Sequence, residues 1–313
     1  MWSERAWRAW RRVKIATFNI NDIRRRLPNL LAWLDDSRPD IACLQELKTP
    51  DAGFPADAVA RAGYRSVWSG EGRWNGVAIL ARDAEPVLTR TALPGDESDG
   101  QARYIEAAVR GVLVASLYAP NGNPQPGPKL DYKLTWLRRL RAHAESLLRA
   151  DAPVVLAGDF NVVPTDADIY STRSWKKDAL LHPVARAIFA GMLEDGWSDA
   201  LRSLYSDDAP YTFWSYFRER WPRDAGLRID HLLLNAQAAK SLRAGGVDRI
   251  VRGQDNASDH APAWVDLKLG RNTRHPRNTR QKHAQSTVPK ERHARRGSLS
   301  WAENGLRQGQ DIR

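Results

Sequence analysis

A chain of 313 residues, 42% of them hydrophobic, can bury a sizeable core as one large α/β domain or two small ones. No apolar run reaches the length of a membrane span, the Trp- and Arg-rich start lacks the apolar stretch of a secretory signal, and the lone Cys43 excludes an internal disulfide or a cysteine-rich zinc site, so a cytoplasmic protein is expected. The net charge of +11 lies at the ends: residues 1–13 hold 4 Arg against 1 Glu, residues 271–313 hold 11 Lys/Arg against 3 Asp/Glu, and residues 14–270 balance at 33 against 33.

In chain order, residues 1–12 read as a basic extension in which Trp2, Trp7 and Trp10 alternate with arginines, able to stack on nucleic acid or to fray. VKIATFN (13–19) predicts a short strand ending in polar residues. Leu27, Leu30, Leu31 and Leu34 recur at helical spacing until Ser37, Pro39 and Asp40 break the helix, and DIACLQE (40–46) predicts a buried strand ending in a carboxylate. RYIEAAVRGVLVASLYAP (103–120) predicts two strands joined near Arg110-Gly111. Leu130, Leu134, Leu137, Leu140, Ala144 and Leu147 mark one helix face, and APVVLAGDFN (152–161) is again a buried strand with a polar end. From Leu269 onward apolar periodicity stops, and 270–313 reads as a disordered basic tail able to act as a sequence-blind counter-ion for phosphates.

Helices alternating with apolar strands predict a layered α/β architecture. Asn19, Glu46, Tyr118, Asp159 and Asn161 all fall at or just past the C-terminal ends of expected strands, where such folds carry their sites. Five clusters stand out: TFNIN (17–21), LQE (44–46), AGDFNVVPTDAD (157–168), GLRIDHLLL (226–234) and NASDHAP (256–262). Taken singly, an Asp or Asn after a strand is a turn or a cap, and Asp259-His260 a surface pair. Together they supply hard oxygen donors and an imidazole, a set suited to Mg2+ or Mn2+ rather than zinc, and to the charge that develops when a phosphodiester is cut. No serine elbow, Walker loop or dinucleotide glycine motif competes; the glycines of SGEGRWNG (69–76) precede no helix.

In this order and spacing the five clusters resemble the exonuclease III family of abasic-site endonucleases, within the wider endonuclease/exonuclease/phosphatase superfamily, over residues 13–269. The resemblance implies a four-layer α/β sandwich, two mixed β-sheets packed face to face with helices on both outer faces. It also implies Mg2+-dependent (or Mn2+-dependent) cleavage of double-stranded DNA, abasic or nicked, by a monomer. By position, Glu46 is similar to the principal metal ligand, and Asn19 and Asp259 to the residues completing that metal's surroundings. Asp159 matches the residue that activates water and can meet a second metal, and Asn161 the amide that holds the water. His260 resembles the imidazole at the scissile phosphate and at the metal site, Asp230 the carboxylate that orients it, and Tyr118 the phenol beside the phosphate. Asn121, Arg103 and Lys129 look like substrate contacts.

The run YTFWSYF (211–217) is the expected substrate loop, with Phe213 and Trp214 lining a pocket for a flipped-out, base-free deoxyribose; its plain alternative is core packing. Ser215 and Phe217 depart from the commoner family pattern, which leaves open the balance between abasic-site cutting and trimming of 3′ ends. His231 should point to the face opposite Asp230 and be structural. Two rival readings share these residues: a superfamily phosphoesterase acting on RNA or phosphoinositides, and a non-catalytic DNA-binding relative.

Overall fold

The computed structural model describes residues 11–206 and 210–270. Strand β1 (Arg11–Asn19) starts two residues before the expected Val13, so Arg11 and Arg12 belong to the fold. The rest of the expected basic extension and the tail from residue 271 lie outside the described residues. Helix α1 (Leu27–Ser37) buries Leu30, Trp33 and Leu34, carries a proline in its first turn, and ends where Arg38 turns left-handed. It returns the chain to β2 (Ile41–Gln45).

There follow α2 (Ala56–Arg61), β3 (Tyr64–Ser69), β4 (Val77–Arg82), β5 (Val87–Arg90), β6 (Tyr104–Val109) and β7 (Val112–Tyr118). Helix α3 (Pro128–Leu147) buries Leu130, Leu134, Leu137, Leu140 and Ala144 as the spacing predicts, together with Lys133 and Trp136. It leads to β8 (Val154–Asp159), α4 (Pro183–Glu194), β9 (Ser198–Asp199), α5 (Ala200–Leu204), β10 (Asp230–Leu234), α6 (Ala236–Ser241), β11 (Leu242–Val247) and β12 (Ala263–Leu269).

The strands form two six-stranded mixed sheets, in the orders β11-β12-β1-β2-β4-β3 and β5-β6-β7-β8-β10-β9. Each sheet contains one parallel pair, β1 with β2 and β7 with β8, joined by a helical crossover through α1 or α3. Alternate residues of these strands serve two cores. Ile15, Cys43, Val114, Val155 and Ala157 meet between the sheets. Phe18 and Leu44 pack outward on Leu30 and Leu34, while Leu117 and Leu156 pack on Leu137 and Leu140 of α3. Strands buried on both faces explain the unbroken apolar runs in the sequence. The architecture is the four-layer sandwich that the resemblance implies.

A buried ionic network locks the loop beyond β8. Arg228 donates to Asp168 at 2.7 Å and to Asp199 at 2.7 Å, and faces His231 Nδ1 at 2.9 Å. Because the guanidinium can only donate, Nδ1 must accept, and Nε2 carries the hydrogen given to Val162 O at 3.1 Å. His231 is thus a buried structural residue on the face opposite Asp230, as strand alternation predicts. Burial, then the nearby Arg228, holds its pKa down at about 4.

The sign of the pH dependence follows. Above about pH 6.5 the imidazole is neutral in folded and unfolded chains, and its contribution to stability is complete. As pH falls toward about 4 the unfolded chain takes the proton first, and stability is lost. Chemical unfolding measured between pH 7 and pH 4 should show this decline, and His231→Gln, which keeps both hydrogen bonds without titrating, should flatten it. Equal pH slopes in the two proteins would contradict the assignment.

Candidate active site

Strands β1, β2, β7 and β8 all end on the same edge of the sandwich, and β10 begins there, its Asp230 paired with Asp159 and Asp159 with Tyr118. The two sheets are pinned together just beneath this edge. Gln45 accepts from Thr17 at 3.2 Å in its own sheet and donates to Ser116 across the interface at 3.1 Å, and Ser116 donates to Leu44 O at 3.0 Å. A Cβ at Gly158 would collide with the Leu117 carbonyl, so only glycine permits β7 and β8 to approach this closely before the site.

At the edge, buried Asn19 spans the seam. Its side-chain amide donates to Glu46 Oε1 at 2.8 Å and to Asp159 Oδ2 at 3.0 Å, while its oxygen accepts from the Asn21 N–H at 3.1 Å. Lys48 pairs with Glu46 Oε2 at 2.7 Å and donates to Asn21 at 2.6 Å. Burial pushes the Glu46 carboxyl up, but Lys48, the Asn19 amide and His260 together hold it below its ordinary value. Glu46, Asn21, Lys48 and Asn161 all have left-handed backbones, with φ between 49° and 52°. Such strain persists only where the surroundings enforce it, and it gathers here at the site.

His260 Nδ1 lies 2.8 Å from Asp230 Oδ2, and its Nε2 3.8 Å from Asp159 Oδ2. Burial disfavours the imidazolium, yet Asp230, then Asp159 and Asp259, raise its pKa to about 10. Burial raises the Asp159 carboxyl to about 7; His260 opposes this, and Asp230 and Glu46 add to it. Tyr118 is raised by burial and by the charges of Glu46 and Asp159, so its phenol keeps its proton. Asn161 is fixed by its main-chain N–H, which donates to Asp159 Oδ1 at 2.8 Å, and by its side-chain amide, which donates to Ala119 O at 2.8 Å. The amide oxygen is left as the group it can offer to the site.

The structure gathers Asn19, Glu46, Tyr118, Asp159, Asn161, Asp230 and His260 around one seam, and spreads the remaining expected residues around it. Asp259 accepts from Asn21 at 2.9 Å and stands beside, not within, the tight cluster. Arg103 lies over the Tyr118 ring, 4.8 Å from its centroid. Asn121 and Lys129 are exposed, on the loop after β7 and at the start of α3. The two aromatic residues expected to line a pocket part company. Phe213 stacks at a tilt on the His260 ring, 4.9 Å between centroids. Trp214 turns inward: it is 0% exposed, its indole N–H donates to Asp224 at 3.0 Å, and its ring meets the edge of Trp221. Adjacent residues in an extended segment face opposite sides, so only one of the pair can face the site, and the expectation for Trp214 is corrected.

Three polar residues were not singled out in the sequence: Asn21, Lys48 and Lys133. Asn21 and Lys48 lie inside or just past quoted motifs, in TFNIN and after LQE, and proximity to Asn19 and Glu46 was the available signal. Lys133 lies three positions after Leu130, on the apolar face of α3; that spacing was the available signal, against the usual solvation of a helical lysine.

The chain matches the model of the endonuclease/exonuclease/phosphatase family over residues 16–260. The chain belongs to that family. Among its relatives, the DNA repair nuclease APEX1 of Danio rerio is 33% identical over 264 residues, spanning 82% of this chain and 83% of that protein. Exodeoxyribonuclease III of Haemophilus influenzae is 30% identical, spanning 82% of this chain and 100% of that protein. Among solved structures, the 3′ phosphatase NExo from Neisseria bound to a product DNA hairpin superposes with TM-score 0.79 at 37% identity, covering 82% of this chain and 100% of that one. An AP endonuclease from Archaeoglobus fulgidus gives TM-score 0.78 at 34% identity, with the same coverage.

Family members depend on a divalent metal, and the residues here fit one. Glu46, Asp159 and His260 offer ligand atoms within 4.8 Å of one another. Buried Asp230 keeps one carboxylate oxygen without a hydrogen-bond partner, and burial, with Asp230 and Glu46 close by, raises the Asp159 carboxyl. An excess of buried carboxylate of this kind is relieved by a hard cation. His260 Nδ1 is already taken by Asp230 at 2.8 Å, so the oxygens of Glu46 and Asp159 are the groups that would hold a cation.

The split between Phe213 and Trp214 is testable by truncation. Trp214→Ala removes a fully buried ring and should cost about 3–5 kcal/mol of stability, read by thermal or urea unfolding. Phe213→Ala, half-buried at the site, should cost much less stability and act on catalysis. Equal destabilisation by the two would contradict the placement.

Proposed function

We propose that this protein is a metal-dependent DNA phosphodiesterase of the exonuclease III type, cutting the backbone 5′ to abasic sites and trimming 3′ ends of duplex DNA. It works as a cytoplasmic monomer with Mg2+ or Mn2+. No helix among the described residues is long and apolar enough to cross a membrane. The observation that carries the reading is the cluster of half-buried Glu46 with buried Asp159 and His260, in a chain whose relatives include a DNA repair nuclease and an exodeoxyribonuclease III.

Hydrolysis adds a water oxygen to phosphorus, breaks the bond to the 3′ oxygen and returns a proton to that oxygen. A divalent cation held by Glu46 and Asp159 would neutralise charge on the phosphoryl oxygens. Asp159, adjacent to the amide of Asn161, takes the proton of the attacking water. Asn161 holds that water through its amide oxygen. His260, kept charged and oriented by Asp230, donates from Nε2 to a phosphoryl oxygen as negative charge builds there. Tyr118 donates its phenolic hydrogen nearby. Arg103, Lys129 and Asn121 bind the DNA backbone, sequence-blind, through phosphates. Phe213, with Trp175 behind it at 6.3 Å, closes a pocket that takes a base-free sugar and rejects an intact nucleotide.

A second reading shifts the balance toward 3′ ends. It is favoured by the similarity to a protein described as a 3′ phosphatase. Cleavage assays with Mg2+ on abasic, nicked, 3′-phosphorylated and intact duplexes, beside an inositol polyphosphate, separate the readings. The abasic duplex should be cut fastest, EDTA should silence the reaction, and His260→Asn should lose ~10²–10⁴-fold in turnover with duplex affinity little changed. An abasic duplex cut no faster than the intact one would leave the 3′-end reading. Preference for the inositol phosphate would sink the DNA assignment.

A further inference from the structure

Lys133 is fully buried on α3, and among the described residues its amine makes no ion pair. It donates instead to two main-chain carbonyls, Asn161 O at 2.5 Å and Asn121 O at 3.0 Å. Burying an ammonium costs several kcal/mol unless it is well partnered. A methionine would fill the same space without that cost. The two carbonyls belong to the loops that follow β7 and β8, the parallel pair whose ends build one side of the site. Gly122, between Asn121 and the rest of its loop, is packed on the lysine stem so closely that a Cβ there would lie 2.6 Å from Lys133 Cδ.

Asn161 has a left-handed backbone, φ 49°, which costs free energy and needs external support. Its main-chain N–H is committed to Asp159, its side-chain amide to Ala119 O, and its carbonyl to Lys133. Only the amide oxygen is left, and its position follows from those restraints. Among them Lys133 is the one that holds the Asn161 carbonyl and the Asn121 carbonyl with a single group.

We propose that Lys133 is a positioning residue: its ammonium clamps the carbonyls of Asn121 and Asn161 and thereby sets the water-holding amide of Asn161 against Asp159 while fixing the substrate loop beside it. The proposal rests on the phosphodiesterase reading for its effect on rate, and on geometry alone for its effect on the loops. It differs from a structural pin. A pin lowers stability and leaves turnover per folded molecule unchanged, whereas a clamp on reacting groups changes turnover in molecules that remain folded.

The test uses the full chain and two variants, Lys133→Met, which removes the ammonium and keeps the bulk, and Lys133→Gln, which is milder on folding. Single-turnover cleavage of an abasic duplex at saturating protein and Mg2+ should slow on the order of 10²-fold, the effect of a misplacement near 1 Å. Hydrogen exchange, followed by mass spectrometry without DNA or metal, should quicken in segments 119–123 and 159–163 while α3 stays protected. Slower cleavage with faster exchange in both segments supports the clamp. Unchanged exchange in either variant overturns it, whatever the rate, and so does a wild-type single-turnover rate in both variants. A wild type that cleaves none of the DNA substrates would sink the nuclease reading, and the exchange data would still decide the clamp.

Discussion

Asn19 sends one hydrogen bond to Glu46 and another to Asp159, and the arrangement of the site depends on that pair. Glu46 and Asp159 are carried by different sheets, and nothing in either sheet's own ladder fixes their separation. An amide is the apt bridge: it donates twice, adds no charge and holds two carboxylates close without neutralising either. Beneath it the Gln45–Ser116 bond fixes the distance between sheets, and the apolar layer of Ile15, Cys43, Val155 and Ala157 supports both. The site is therefore a property of the seam, and neither sheet contains it alone.

That seam carries an excess of negative charge. Lys48 and His260 offset part of it, while burial, with Asp230 and Glu46 adding to it, raises the Asp159 carboxyl. A group that is awkward to bury charged, and placed beside others like it, is poised both for a hard cation and for proton transfer. The left-handed backbones of Glu46 and Asn161 show the fold accepting local strain to aim these groups.

Much of this was legible in the sequence, because strands buried on both faces write themselves as apolar runs and polar residues at their ends stand out. Asn19, Glu46, Tyr118, Asp159 and Asn161 stand out in that way; the pairing of Asp230 with His260, and the role of each residue, came from the family resemblance. His231 was separable from Asp230 by strand alternation alone. The second sheet was not legible from the residues, since pairing between distant strands leaves no local pattern. Trp214 was misread because TFW gives no local sign of which ring faces the core. Lys133 was missed for the opposite reason: a lysine on a helix suggests solvent, and only the approach of two loop carbonyls makes it an interior residue. Lys48 escaped because its partner Glu46 is two residues away, and the pairing depends on the left-handed turn at both positions.

The proposed function requires the seam between the sheets to hold a divalent cation, with Glu46 among its ligands. The direct test is a Mn2+ binding isotherm followed by electron paramagnetic resonance, on the wild-type chain and on Glu46→Ala, with the far-UV spectrum checking that both are folded. The wild type should bind Mn2+ saturably, in competition with Mg2+, and the folded variant should lose that binding. A wild type that binds no Mn2+, or a Glu46→Ala variant that binds it equally well, would show that the seam is not a cation site built on Glu46.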